Sequence, residues 1–212
     1  MFAFLGKLFD SKAVKQTTMN LPSNFIWMSE DRIGTWPKMI KEAVPFLGMK
    51  EIKGTKSEPR LMEVAKEIGV ADIYKNDDTS WCAVIHNGIA KRAGKSIGYK
   101  KDKFDLLRAL KFQEYGVGLF PDDWEVLHKK EAMFGDTMIF LRPGGGHVGF
   151  YIGENDTHYY IMGGNQNDMY SFTRLAKYRL VDVRRPKYKT TPPSVKKYIL
   201  TDNGVPVTTN EA

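Results

Sequence analysis

DDTSWCAVIHNGIAKRAG, residues 77–94, contains the single cysteine of the chain, Cys82, and reads as the start, body and stop of one helix. Asp77, Asp78, Thr79 and Ser80 are all N-cap types, because a short side-chain oxygen can accept from the unpaired N–H groups of a first turn. Val84, Ile85, Ile89, Ala90 and Ala93 supply the apolar positions. Gly94 supplies a left-handed stop directly after Lys91 and Arg92, whose charges suit that end of the helix dipole. Cys82 then falls in the first turn, where the dipole and free N–H groups favour a thiolate over a thiol. The expectation is a nucleophile that iodoacetamide modifies faster than a free thiol.

Working outward, the N-terminal side reads as helical. Thr35-Trp36-Pro37 opens a helix with Met39, Ile40, Ala43 and Val44 as its stripe and Pro45 as its stop. Ser57 caps a second, with Pro59 in its first turn, Leu61, Met62, Ala65 and Ile68 at helical spacing, and Gly69 at its end. A fourth helix is expected from Asp102, with Phe104, Leu107 and Leu110 on one side, ending before Gly116. Past that point the period changes. LFPDDWEVL reads as a loop or short strand, and TMIFL (137–141) as a buried strand. RPGGG (142–146) is a tight turn, and HVGFYIGE (147–154), HYYIMGGN (158–165), MYSFTRL (169–175) and YRLVDVRRP (178–186) follow at hairpin spacing. Helices first and strands after predict an α+β fold with an antiparallel β-meander packed on the helices. The expected organisation is an appendage at 1–34, a main domain at 35–188 and an extended, partly mobile tail at 189–212. Phe2, Phe4, Leu5, Leu8 and Phe9 fit one face of a short helix.

The 212 residues, 42% of them apolar and 12% aromatic, suffice for one packed core. One cysteine excludes an internal disulfide. The net charge of +7 suits an anionic envelope surface, but it is spread along the chain and matches no nucleic-acid-binding pattern. No apolar run reaches the length of a membrane span, and the start lacks the basic and small-residue flanks of a secretory signal.

A thiolate needs a base, and the chain has four histidines: His86, His128, His147 and His158. His86 follows Cys82 by one helical turn, but zinc needs three or four protein ligands and no further set appears, so no metal site is expected. His147 differs, because it follows three glycines and opens a strand. On the next strand GGNQN places Asn165 near the level of His147, where an amide oxygen would accept from the imidazole and fix its tautomer. Gln166 is the alternative.

The pieces EIKGTKSEPR (51–60), DDTSWCAVIHNGIAKRAG (77–94), GDTMIF (135–140), GGGHVGFYIGE (144–154) and IMGGNQ (161–166) resemble the CHAP and NlpC/P60 group of cysteine peptidoglycan hydrolases, in a phage-lysin-like branch. The resemblance runs over roughly residues 36–186. It implies a small papain-like fold and cleavage of a murein stem-peptide amide, with Cys82 as nucleophile, His147 as base and Asn165 as the orienting residue. Relatives often carry Glu or Asp in that third place. Oxyanion and substrate contacts are expected from Ser80, Trp81, Asp78, Gln166 and Gly146. No cofactor is expected; some relatives bind calcium, but only scattered acids lie near Asp77–Asp78. The implied partner is peptidoglycan and the implied state a monomer, made in a host bacterial cytoplasm and acting in the periplasm or cell wall, free or carried on a virion. Endopeptidase is favoured slightly over N-acetylmuramoyl-L-alanine amidase. Two rivals remain: a basic module that docks on an acidic envelope or on nucleic acid with Cys82 merely buried, and a papain-like enzyme acting on a protein target.

Overall fold

The computed structural model describes residues 21–97, 102–115, 124–127 and 131–207. Helices α1 (Glu30–Ile33), α2 (Lys38–Ala43), α3 (Pro59–Glu67) and α4 (Cys82–Arg92) come first. Strands β1 (Trp124–Val126), β2 (Thr137–Arg142), β3 (Gly145–Glu154), β4 (His158–Gly163), β5 (Ser171–Ala176) and β6 (Leu180–Pro186) follow. They form one antiparallel sheet in the order β1-β6-β2-β3-β4-β5. The α+β expectation and the meander both hold at this level.

The sheet cannot be flat. In its order β5 and β6 stand four strand spacings apart, about 19 Å at the usual separation. Yet only Lys177–Arg179 lies between them, and the step from Ala176 to Leu180 spans at most about 14 Å. The sheet must therefore curl. Inside the curl sit Met138, Phe140, Tyr151, Ile161, Leu175, Leu180 and Val183. The other face carries Ile139, Val148, Phe150, Ile152 and Met162, packed with Val64 and Ala65 of α3 and Ile85 and Ile89 of α4. With apolar groups on both faces, β3 is buried from His147 to its end, which explains why HVGFYIG reads as a run and not as an alternation.

α4 is the central helix. Every residue from Cys82 to Ala90 is buried. It crosses α3 closely at Gly88, where a Cβ would stand 2.3 Å from Val64 Cγ1. At its end Gly94 takes φ +71° and Lys95 N–H donates to the Ala90 carbonyl at 2.8 Å, the stop read from the sequence. Lys91 and Arg92 bind the end of α3: Lys91 donates to the Glu67 carbonyl, and Arg92 forks onto the Glu67 carboxylate at 2.9 and 2.6 Å.

Several expectations need correction. No side chain caps α4; Trp81 is its N-cap residue. α3 is capped by Glu58, accepting from Arg60 N–H at 3.2 Å, and not by Ser57. α2 begins at Lys38 behind Pro37 without help from Thr35, and its last turn tightens into Val44–Phe46. The fourth helix is two 3₁₀ segments, Lys103–Leu107 and Ala109–Glu114, parted by an extended Arg108. Carbonyls there are taken from outside: Asn87 donates to Leu106 O at 3.0 Å, and Arg184 to Tyr115 O at 3.0 Å and to Gln113 O.

Both ends of the described chain are core and not appendages. Leu21, Phe25, Trp27 and Met28 are buried, as are Val195, Tyr198 and Leu200. The ends hold each other: Trp27 Nε1 donates to Gly204 O at 2.8 Å, and Ser194 Oγ to Thr35 O at 2.7 Å. Leu200 N–H meets Glu154 O at 2.7 Å at the end of β3. The tail is irregular but docked. The proposed apolar face of residues 2–9, and His128, lie outside the described residues.

Candidate active site

Cys82 opens α4 and is 3% exposed. It lines a cavity of about 570 Å³ together with Ser80, Leu110, Arg142 and Gly146. Residues 107–111 and the stretch up to Glu114 form one wall, and Gly144–Gly146 the other. Gly146 lies under Leu110, whose Cδ2 would be 2.8 Å from a Cβ there. Ser80 borders the same cavity, with its Oγ accepting from Arg142 Nη2 at 2.6 Å.

Two of the expected contacts fail. Trp81 is fully buried, packed against Gly164, where a Cβ would stand 2.6 Å from its ring, and its Nε1 donates to Glu51 Oε2 at 3.3 Å. It is core and lines no groove. Asp78 is exposed and borders neither cavity at the site. Its neighbour Asp77 is buried instead, accepting from Ile52 N–H at 3.0 Å and Glu58 N–H at 2.8 Å, and so pins two loops beside α4.

His147 is paired across the sheet with Phe140 and is 5% exposed. Its ring meets Gln166, not Asn165: Nε2 and Gln166 Oε1 are 3.1 Å apart. Asn165 takes φ +57°, which turns the chain off the line of β4, so the next residue carries the amide that reaches the ring. The Gln166 amide is oriented from its far side. Its Nε2 donates to the Ser171 carbonyl at 2.5 Å, and a carbonyl can only accept. Oε1 therefore faces the imidazole, Nε2 of His147 must carry the proton, and Nδ1 is the basic nitrogen. Asn165 borders a smaller cavity of about 190 Å³ with Arg142, His147, Gln166, Asn167, Thr173, Leu175 and Arg179.

Cys82 and His147 are neighbours through the backbone. Val148, the residue after His147, packs in the same apolar cluster as Cys82, and its backbone N–H favours the charged form of the sulfur. No hydrogen bond joins it to the His147 ring among the described residues. Strand alternation explains this: Val148 belongs to the apolar cluster that includes Cys82, whereas Phe140, opposite His147, belongs to the cluster inside the curl. Cys82 lines the larger cavity and His147 the smaller, and Arg142 lines both.

The electrostatics correct one expectation. Burial pushes the Cys82 thiol up, against the Arg142 charge and the backbone N–H groups of Val148, Ala83 and Cys82 itself. A helix terminus contributes about 0.3–1 kcal/mol, less than one pKa unit, whereas full burial can move a group by about 3–5 units. Desolvation wins, and the resting group is a thiol. His147 is lowered to about 4, first by burial, with the Gln166 hydrogen bond opposing and Arg142 and Arg179 adding repulsion. At neutral pH the pair is thiol and neutral imidazole.

His86 is a structural residue. Its Nε2 lies 2.8 Å from Thr137 Oγ1, and its ring stacks on Phe150 at 4.3 Å. Among the described residues no group of three or more His, Cys, Asp or Glu side chains is placed to hold a metal ion. Arg142 is the site residue that sequence reading missed. It sat inside the turn RPGGG, and nothing in that string announces that a strand end will stand beside a cysteine sixty residues earlier. No family model, curated protein or solved structure matches the chain.

Proposed function

We propose that this chain is a papain-like cysteine hydrolase of peptidoglycan that cuts a stem-peptide amide, with Cys82 as nucleophile, His147 as base and Gln166 as the residue that orients the base. The observation that carries the reading is the Ser171–Gln166–His147 chain of contacts, which leaves Nδ1 unprotonated on the strand whose next residue, Val148, packs in the same cluster as Cys82. His147 is neutral at pH 7 and free to accept a proton, but held down to about 4 it is a weaker base than one poised near the working pH. As Sγ attacks the carbonyl, its proton passes to Nδ1. The imidazolium then returns that proton to the leaving amine, and a water activated by the regenerated base releases the acyl group. Val148 faces the Cys82 cluster and His147 the opposite face of β3, so the transfer requires the His147 end of that strand to turn until thiol and imidazole reach hydrogen-bond distance. The Cys82 backbone N–H is the oxyanion donor in this scheme, with the Ser80 hydroxyl at the same cavity as the second.

The basic charge of the chain fits an anionic cell wall. Endopeptidase remains the preferred cut over amidase. The proposed setting is that of a phage lysin, made in the host cytoplasm and acting in the periplasm or wall as a monomer. The test is digestion of purified peptidoglycan by the wild type and by Cys82→Ala, with mass spectrometry of the fragments. A new amino terminus on a stem residue other than L-alanine, absent with the variant, supports the endopeptidase. Equal release by both proteins overturns the reading.

One observation favours a second reading. Cys82 is a raised, buried thiol without a bond to His147, which is also how a structural cysteine looks in a non-catalytic envelope-binding module. In that case the protein sediments with peptidoglycan undigested, and Cys82→Ala changes nothing.

A further inference from the structure

The smaller cavity has a composition that catalysis by Cys82, His147 and Gln166 does not explain. Two arginines converge on it, Arg142 from the end of β2 and Arg179 from the short link between β5 and β6. Neither has a carboxylate within ion-pair distance among the described residues. Arg142 spends one N–H on Ser80 Oγ, and Arg179 spends its Nε on the Leu141 carbonyl at 2.9 Å. Each keeps further N–H donors. Most other basic side chains near the site are already paired: Arg108 with Asp105 at 3.0 Å, and Lys111 with Glu114 at 2.8 Å. Two unmatched guanidinium groups beside a buried imidazole are an unfavourable arrangement that an anion relieves, and the guanidinium fork suits a carboxylate. Asn165, Asn167 and Thr173 add uncharged polar groups around the same space.

We infer that this cavity is a carboxylate subsite, built by Arg142 and Arg179, for the leaving-group side of the scissile amide. The inference rests on the hydrolase reading for its direction. The larger cavity holds the sulfur, so the acyl part lies there; the smaller one shares His147, which protonates the leaving amine. A carboxylate held in a space of about 190 Å³ next to that imidazole belongs to the residue that departs. The substrate class is therefore an amide whose leaving amine sits on an amino acid with its own free carboxylate. Both arginines also repel a proton on His147, and a bound anion would weaken that repulsion at the step where the imidazole must be protonated.

The test uses full-length Cys82→Ala, so that nothing turns over, titrated with an N-acetylated stem tripeptide as the free acid and as its C-terminal carboxamide. The free acid is expected to bind about tenfold or more tightly than the carboxamide, the value of a charge-assisted pair. Arg179→Gln in the Cys82→Ala background is expected to erase that preference while leaving carboxamide binding unchanged; Arg142→Gln is expected to erase it too and, by releasing Ser80, to weaken binding of both peptides. Arg179→Gln is the cleaner of the two, since Arg142 also holds Ser80. Equal binding of the two peptides, no measurable binding of either, or a preference that survives both variants overturns the subsite. The outcomes separate from those of the enzymatic reading. Cys82-dependent digestion without a carboxylate preference removes only the subsite, and a preference without digestion removes only the hydrolase.

Discussion

Lowering the pH from 7 to 5 is expected to cost this protein a large share of its stability, and the histidines set the size. His86 is 2% exposed and its pKa is held down to about 3, by burial and by the neighbouring His147; His147 is held down to about 4. Each takes up its proton near 6.5 in the unfolded chain. A group whose folded pKa lies below its unfolded value contributes no penalty above the unfolded value. It then destabilises the fold progressively as pH drops toward the folded one. Across pH 7 to 5 the unfolded state gains about 2 kcal/mol per histidine that the folded state does not, about 4 kcal/mol for the two. Asp136 works the other way, because burial pushes its carboxyl up to about 6 in spite of Arg185 at 2.7 Å, and it returns about 1 kcal/mol over the same range. Folded domains commonly have about 5–15 kcal/mol in total, so the net loss is substantial. The variant that isolates one term is His86→Gln, which keeps a group able to reach Thr137 Oγ1 but does not titrate. Urea unfolding at pH 7, 6 and 5 would measure it. His86→Gln should be less stable than wild type at pH 7 by about 1–2 kcal/mol, from lost packing on Phe150. It should also lose about 2 kcal/mol less on going to pH 5. Parallel curves for the two proteins would refute the claim that His86 stays neutral in the fold.

Iodoacetamide should modify Cys82 in the folded protein more slowly than it modifies a small free thiol at pH 7, because burial raises the thiol, and the rate should climb with pH well past 8; rapid labelling at pH 6 followed by mass spectrometry would contradict it. Gln166→Leu removes the acceptor that fixes the His147 tautomer and should lower kcat on the order of 10²-fold with little change in KM, whereas Asn165→Ala should fall far short of that; the reverse ranking in a peptidoglycan-digestion assay would restore Asn165 as the orienting residue. Gly88→Ala drives a Cβ into Val64 and should cost about 1–3 kcal/mol in a denaturant titration, a loss that Gly88→Ala with Val64→Ala partly recovers; an unshifted midpoint for the single variant would mean that α3 and α4 are not packed this tightly.

Local patterns in the sequence determined the elements. The spacing of Val84, Ile85 and Ile89, the stop at Gly94, and the change from helical to hairpin spacing after Gly116 were enough for α4, the meander and the α+β class, because these depend on neighbours a few residues apart. Tertiary structure decided everything that depends on who meets whom. The sequence offers Asp77 as a cap, but the fold uses it to hold Ile52 and Glu58. It offers Asn165 at the level of His147, but a left-handed turn there passes the contact to Gln166. It offers a thiolate at a helix start, but the packing of β3 and residues 107–110 over that start removes the water a thiolate needs. Residues 21–34 and the tail look detachable because no period marks them, yet Trp27 and Tyr198 are buried against the body. Period and capping propensity are written locally along a chain. Desolvation and hydrogen-bond partnership arise only when distant segments close on one another.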